Sequence, residues 1–301
     1  MNIVETAIEK DPGCFQIAEI RVNNSSWMYL YSNQHINTFL NAKVLLFGMP
    51  VFPELHTELG WMECITDFAT ANGFQKIIGP LEGNTWNDYR FGYTSDKALF
   101  LTDVSNHHSF VEGLLNSGFL PKFHYFSSKL TSKEIKSPFI TGRSFFENEL
   151  QVEELDKEDI LKLLPDLYSP VCNIFSDNLF YSPLSKDNFY SKYQKLVEIL
   201  LPGDLFLVRD KQDIVGFCLS LRDLLNPHQN GMIVKTIGRI SDKKYAGLGA
   251  WISEIIYKKF VSSNYEYMIH AFMHEDNNSL RISKFYQGEI IKKYAIYEKD
   301  I

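Results

Sequence analysis

Apolar and polar positions fall into blocks along this chain, and the blocks after residue 150 are the clearest. Residues 151–155 read as a short extended entry. Residues 157–168 carry Ile160, Leu161, Leu163, Leu164 and Leu167 at helical spacing, with Asp156 placed as a cap. Residues 189–200 predict a second helix. The β-rich runs 204–208 and 214–221 flank Asp210-Lys211-Gln212-Asp213, which has hairpin character. Residues 231–240 predict a third strand. Residues 247–261 predict a helix with Leu248, Ile252, Ile255, Ile256 and Phe260 on one broad face. A strand at 265–273, a short helix at 277–286 closed by Gly288, and a long strand or strand pair at 289–298 complete the order.

The first half repeats the later part of this order more loosely. Residues 15–22 and 27–31 predict a hairpin around Asn23-Asn24-Ser25, 42–49 a strand, 54–71 a helix and 76–78 a strand. A helix at 109–116 closed by Gly118, then a strand at 122–130, answer the last helix and strand of the second half. Ser, Lys, Pro and Gly interrupt the pattern at 131–146, which places a seam there. The expected fold is α/β with a mixed sheet, in two halves at 1–135 and 147–301. The alternative is one irregular α/β domain without an internal repeat.

Composition narrows the function classes. The 301 residues suffice for one large or two ordinary domains, and 23 Phe and 16 Tyr supply a sizeable core. A net charge of −7 argues against a general nucleic-acid binder, which needs a basic face. Cys14, Cys64, Cys172 and Cys218 are far apart and form no C-x-x-C pair, so they suggest neither a zinc site nor a disulfide framework. The start of the chain carries acids and no apolar core, unlike a signal peptide. No run approaches the ~18 apolar residues of a membrane span. A cytoplasmic protein without a membrane partner is the expectation.

The most informative stretch is Lys244-Tyr245-Ala246-Gly247-Leu248-Gly249-Ala250, between a predicted strand and a predicted helix. Glycines lack a Cβ and let the backbone approach a ligand closely. The helix start offers free N–H groups and the positive end of its dipole. Together they suggest a diphosphate cradle. A P-loop needs Gly-Lys-Ser/Thr after its glycines, and Gly249-Ala250-Trp251 lacks it. A dinucleotide fingerprint needs a third small residue where Ile252 stands. Tight helix packing alone is the bland reading of the two glycines.

Residues 244–249 resemble the R/Q-x-x-G-x-G/A signature of the GCN5-related N-acetyltransferases (GNAT). The element order from 151 to 301 resembles theirs too, and Asn277, Leu280 and Gly288 fall at that family's later helix spacing. The first half, with Gly79-Pro80-Leu81-Glu82-Gly83-Asn84-Thr85-Trp86 and Tyr89-Arg90-Phe91, more vaguely resembles the N-terminal half of a bacterial subgroup. The resemblance implies tandem acyl-CoA N-acyltransferase-like halves, with acetyl-CoA as co-substrate in the second and no metal. It implies cofactor contacts from Ile237, Arg239, Lys244, Tyr245, Ala246, Gly247, Leu248, Gly249, Ala250 and Asn277. Pro53–Gly60 occupies the matching place in the first half; it has acids and no paired glycines, so a diphosphate would be repelled there.

The catalytic groups are less defined. Where the family often has a Tyr, seven residues after the helix Asn, this chain has Lys284. Tyr286 lies two residues on, roughly 200° round a helix at ~3.6 residues per turn. Both are candidates for protonating the leaving thiolate, with water as the alternative. His270 is a candidate base, as are His274, Glu275, Asp223 and His228; a lone His on such a strand is more often a packing residue. His270 and His274 on one strand are ~13 Å apart, too far for shared ligation of a zinc at ~2 Å. Trp86, Asn87, Tyr89 and Arg90, with Tyr181 and Ser182, are candidates for an acceptor pocket.

The expected activity is therefore transfer of an acetyl group from acetyl-CoA to a primary amine of a small molecule, in a ternary complex. A catalytically inactive acyl-CoA-binding or regulatory protein of the same fold is the alternative. An aminoacyl or long-chain acyl transferase is a third.

Overall fold

The computed structural model describes residues 2–22, 25–51, 60–95, 97–134 and 136–301. The first half comprises β1 (Asn2–Asp11), β2 (Cys14–Val22), β3 (Ser25–Asn33), α1 (Gln34–Leu40), β4 (Val44–Phe47), α2 (Trp61–Ala71), β5 (Lys76–Gly79), β6 (Phe91–Gly92), α3 (His108–Asn116) and β7 (Leu120–Leu130). A short helix, α4 (Arg143–Glu149), begins within the predicted seam and runs past its end. The second half comprises β8 (Leu150–Leu155), α5 (Lys157–Phe175), α6 (Lys186–Val197), β9 (Leu205–Asp210), β10 (Asp213–Arg222), β11 (Gly231–Arg239), α7 (Leu248–Ser262), β12 (Tyr267–His274), α8 (Asn278–Phe285) and β13 (Glu289–Asp300).

The strands form one sheet in the order β1-β2-β3-β4-β5-β13-β7-β12-β11-β10-β9-β8, with β6 paired to β13 beside that path. The two halves repeat one plan. β4 and β5 are parallel and joined through α2; β11 and β12 are parallel and joined through α7. Both crossover helices start at a glycine in the left-handed region, Gly60 at φ 62° and Gly247 at φ 95°. Of the two C-terminal alternatives, a long strand or a strand pair, the long strand is observed as β13.

The centre of the sheet holds an exchange between the halves. β7, the last strand of the first half, lies between β13 and β12. β13, the last strand of the second half, lies between β5 and β7. Each half therefore places its final strand in a slot of the other. The β7–β13 pairing runs antiparallel from Glu289↔Lys129 to Glu298↔Leu120.

Amphipathic helices cover the sheet. Trp61 of α2 meets Trp27 of β3 edge-on and Phe110 of α3 stacks on it in the first-half core. In the second half, α7 covers one face through Leu248, Ile252, Ile256 and Phe260. Helices α5 and α6 cover the other face through Leu164, Leu167, Val171 and Phe189. The first half has only a tight turn between β1 and β2, so it has no counterpart of α5 and α6. α6 leans onto it instead: the Asn188 amide donates to Lys10 O (2.7 Å) and Asp11 Oδ1 (2.8 Å).

Asp156 caps α5 as expected, accepting from the Asp159 N–H at 2.9 Å. The helix continues past Tyr168 to Phe175 despite Pro165 and Pro170. The carbonyls those prolines leave without donors belong to Leu161 and Asp166, both on the exposed side where water can reach them. Val171 and Ile174 continue the buried face. The predicted turn at Asn23-Asn24, the start of the 54–71 helix and nearly all of the Pro53–Gly60 segment lie outside the described residues. Among the described residues no helix is long and apolar enough to cross a membrane.

Candidate functional site

β11 and β12 pair only from Gly231↔Tyr267 to Val234↔His270. Beyond that point β11 follows β10 to Arg239, and β12 follows β7 to His274. Two irregularities drive them apart. The β10–β11 register shifts between Leu219 and Ser220, which leaves Lys235 without an opposite residue. The β12–β7 register shifts between His270 and Met273, where Phe272 adopts φ 60°. A wedge thus opens between the strands that flank the crossover helix.

The glycine loop lies at the mouth of this wedge. A 3-10 turn at Lys243–Tyr245 leads into Gly247, the N-cap of α7. A Cβ on Gly247 would sit 2.5 Å from the Thr141 carbonyl oxygen, so both its backbone angle and its packing demand glycine. Gly249 differs: its nearest neighbours are Arg239 Cδ at 3.8 Å and Nε at 3.9 Å. Leu248 and Gly249 head the helix, where N–H groups have no acceptor one turn back. Ala250 and Trp251 donate to Gly247 O, and Ala246 donates to Lys243 O.

Lys244 and Tyr245 are engaged with the protein. Lys244 Nζ pairs with Asp210 Oδ2, and the Tyr245 hydroxyl donates to the same oxygen at 2.7 Å. Those hydrogen bonds, Lys244's first, hold the Asp210 carboxyl below its usual range. Arg239 is exposed, beside Gly249, with Nη1 donating to Ile240 O at 2.8 Å. The cation placed over the helix start is therefore Arg239, while Lys244 is balanced by Asp210. Ile237 is half-buried against the cluster that contains Leu248.

Asn277, expected at the cofactor, and the residues considered for proton transfer lie on different elements. Asn277 is exposed and caps α8, accepting from the Ser279 N–H at 2.9 Å. Lys284 is exposed on α8, whereas Tyr286 is buried and stacks on Tyr257 with centroids 4.0 Å apart. Among the described residues the Tyr286 hydroxyl has no hydrogen-bond partner, and burial pushes its pKa well up. His270 is buried at the last paired position before the wedge, and burial pushes it down to about 4, so it is neutral at pH 7. Strand alternation puts it on the face of Met268, which α7 covers.

Of the other candidates, Asp223 is fully engaged in structure. It accepts from Leu101 N–H (2.8 Å), Leu225 N–H (3.2 Å), Asn226 Nδ2 (2.8 Å) and the Tyr267 hydroxyl (2.6 Å). His228 and Glu275 are exposed. His274 accepts the Asp276 N–H through Nδ1 at 3.2 Å and meets the Tyr125 ring at 5.0 Å.

The aromatic–polar loop of the first half reaches the second. Trp86 Nε1 donates to Ser182 O at 2.9 Å, and its ring meets Phe175 at 5.3 Å and Tyr181 at 6.1 Å. A cavity of about 750 Å³ lies between this half and α6, with Tyr29, Tyr31, Glu82, Asn87, Asn188 and Lys192 in its wall. Burial, then the nearby Asp88 charge, pushes Glu82 up to about 7. Arg90 is 5% exposed, has φ 70°, and stacks on Phe272 of the wedge with its Cζ 3.6 Å from the ring centre. Lys235 is pushed down to about 8 by burial and then by the charges of Arg90 and Lys192. Sequence reasoning passed over Lys235 and did not weigh Glu82 as a titrating group. The available signal was a lone lysine inside the apolar run Met232-Ile233-Val234.

The sequence matches no family profile and no curated protein. Its structure is similar to that of a GCN5-related N-acetyltransferase from Sphaerobacter thermophilus, with TM-score 0.50 and 10% identity over 97% of this chain and 81% of that one. It is also similar to a tandem GNAT protein from the clavulanic acid biosynthesis pathway, with TM-score 0.52 and 8% identity over 96% of this chain and 84% of that one. At such identity the likeness concerns the fold. The expected mixed α/β sheet in tandem acyltransferase-like halves is the fold observed.

Proposed function

We propose, on the premise of that fold, that this chain is an acyltransferase that moves an acetyl group from acetyl-CoA to a primary amine of a small molecule in one ternary complex. The parting of β11 from β12 at Val234 and His270, with α7 starting at its mouth, carries the reading. We read residues 147–301 as the coenzyme-binding half and residues 1–135 as the half that walls the acceptor side.

The residues at the mouth fit a diphosphate. Gly249 leaves its Cβ position uncrowded, the N–H groups of Leu248 and Gly249 head the helix, and Arg239 adds a cation. Backbone groups of Lys235–Ile237, unpaired with β12, suit an amide-bearing arm. Bound there, the coenzyme supplies an activated acyl thioester. The protein excludes water, orients the amine and removes its proton. An N–C bond forms, a C–S bond breaks, and a proton from the amine ends on sulfur. Glu82, in the wall of the cavity beside α6 and pushed up to about 7 by burial, suits a group that takes a proton at pH 7. His270, neutral at pH 7, stands at the last paired position before the wedge.

Calorimetric titration with acetyl-CoA tests the cofactor claim. Binding by the parent protein and its loss in Gly249→Glu are expected; a parent that does not bind refutes the reading. Thiol release across a panel of primary amines then tests turnover. Tight binding with no turnover on any amine would favour an acyl-CoA-binding regulatory protein, a reading consistent with Lys284 being exposed and Tyr286 buried.

A further inference from the structure

We propose that the acyl acceptor carries a carboxylate, and that Arg90, delivered by the first half of the chain, binds it; this rests on the acyl-transfer reading above. Arg90 is 5% exposed, yet among the described residues its Nε and Nη1 have no hydrogen-bond partner. Its guanidinium is surrounded by rings instead: Phe272 at 3.6 Å, Tyr89 at 4.0 Å, Tyr125 at 5.4 Å and Tyr294 at 5.7 Å. Aromatic faces attract a cation but offer no oxygen to its N–H groups. A buried cation with unmatched donors is strongly disfavoured unless an anion completes it.

The position of Arg90 ties it to the wedge. Phe272, on which it stacks, belongs to the stretch of β12 that has left β11. Phe272 and Arg90 both hold positive φ, 60° and 70°, a conformation bulky residues rarely keep without a constraint. Across the wedge, Lys235 occupies the bulge of β11, close enough to feel the charges of both Arg90 and Lys192. Asp88 is the acid that acts on Lys235 from the same loop as Arg90. Asp88 also acts on Lys192, as do Glu82 and Asp11. Arg90, held among ring faces with unmatched donors, is the cation that one further negative charge would complete. A carboxylate fits because the guanidinium is flanked by rings and presents its edge, where planar oxyanions bind.

The test uses the parent protein with acetyl-CoA and four sets of amines: α-amino acids, their primary amides, their decarboxylated amines, and O-phosphoethanolamine. Turnover of carboxylate-bearing amines with kcat/KM at least about tenfold above their amides is expected. Arg90→Gln should erase that preference, chiefly through KM, while acetyl-CoA affinity measured by calorimetry stays unchanged. Arg90→Lys, which keeps the charge among the rings, should restore part of it. Lys235→Gln should weaken the preference less than Arg90→Gln does. Equal kcat/KM for acids and amides, or preference for the phosphate, overturns the proposal while leaving acyl transfer intact. Failure of the parent to bind acetyl-CoA overturns the acyl-transfer reading itself, and this proposal with it.

Discussion

Alanine at Gly249 and alanine at Gly247 should move stability in opposite directions, although the two glycines differ by only two positions. Gly249 has ordinary helical backbone, and its added Cβ would meet nothing nearer than Arg239 Cδ at 3.8 Å, a normal van der Waals distance. The substitution mainly removes freedom from the unfolded chain, a gain of about 0.4–1 kcal/mol. Gly247 sits at φ 95°, where a side chain costs about 1–2 kcal/mol. Its Cβ would also stand 2.5 Å from the Thr141 carbonyl oxygen, a backbone atom that moves only with the turn before α4. Overpacking of that kind adds about 1–3 kcal/mol. The two variants should therefore differ by roughly 2–6 kcal/mol, the sum of these ranges. Urea unfolding with constant m-values measures the difference through the midpoints. Equal destabilisation by both would show that the start of α7 is not built as described. A Gly249→Ala protein that is more stable than the parent but binds acetyl-CoA less well would show that this glycine serves ligand approach, not folding.

Three further outcomes are expected. Lys292 Nζ donates to Lys97 O (2.8 Å), Val104 O (2.7 Å) and Asp103 Oδ2 (3.1 Å), with both side chains of the ion pair fully buried. Asp103→Ala should destabilise by about 3–5 kcal/mol in a denaturant titration, and a loss below about 1 kcal/mol would contradict the pairing. Residues 147–301 expressed alone lack β5 and β7, so β13 loses both its neighbours and β12 loses one, leaving three strand edges unpaired. That fragment should aggregate or remain unfolded by circular dichroism until residues 1–135 are added, and a folded monomer would overturn the exchange of strands. Glu82 has a folded pKa of about 7 against about 4.3 unfolded, so the folded state binds the extra proton between those values. Its contribution is present below the unfolded value and is lost as pH rises through 7, by about 1–3 kcal/mol allowing for partial exposure. Glu82→Gln should remove that decline; the same parent–variant difference at pH 5 and pH 8 would refute it.

Much of the second half was legible because its signals are local. The β-rich apolar runs of β9 and β10, the broad apolar face of α7 and the capping of α5 by Asp156 depend on neighbours a few residues apart. α1, with seven residues, and the charged edge strand β1 have too little apolar pattern to be read. Pro165 and Pro170 masked the end of α5 because they break the local signal while its buried face continues. The glycine loop was legible as a close-approach site, but the division of labour within it was not. Gly247 is constrained by Thr141 and Lys244 is balanced by Asp210, and each partner is more than thirty residues away in the chain.

The sequence by itself determined most elements of the second half and the glycine turn at residues 244–250, because periodicity, caps and glycine are written in consecutive residues. Only the tertiary structure decided that β7 and β13 exchange places, since both strands offer ladder groups and no local residue names the partner. It also decided that Arg90, from a turn in one half, stands beside the wedge opened by β11 and β12 in the other. That convergence follows from sheet order and from two register shifts, which are properties of paired strands and not of either strand alone.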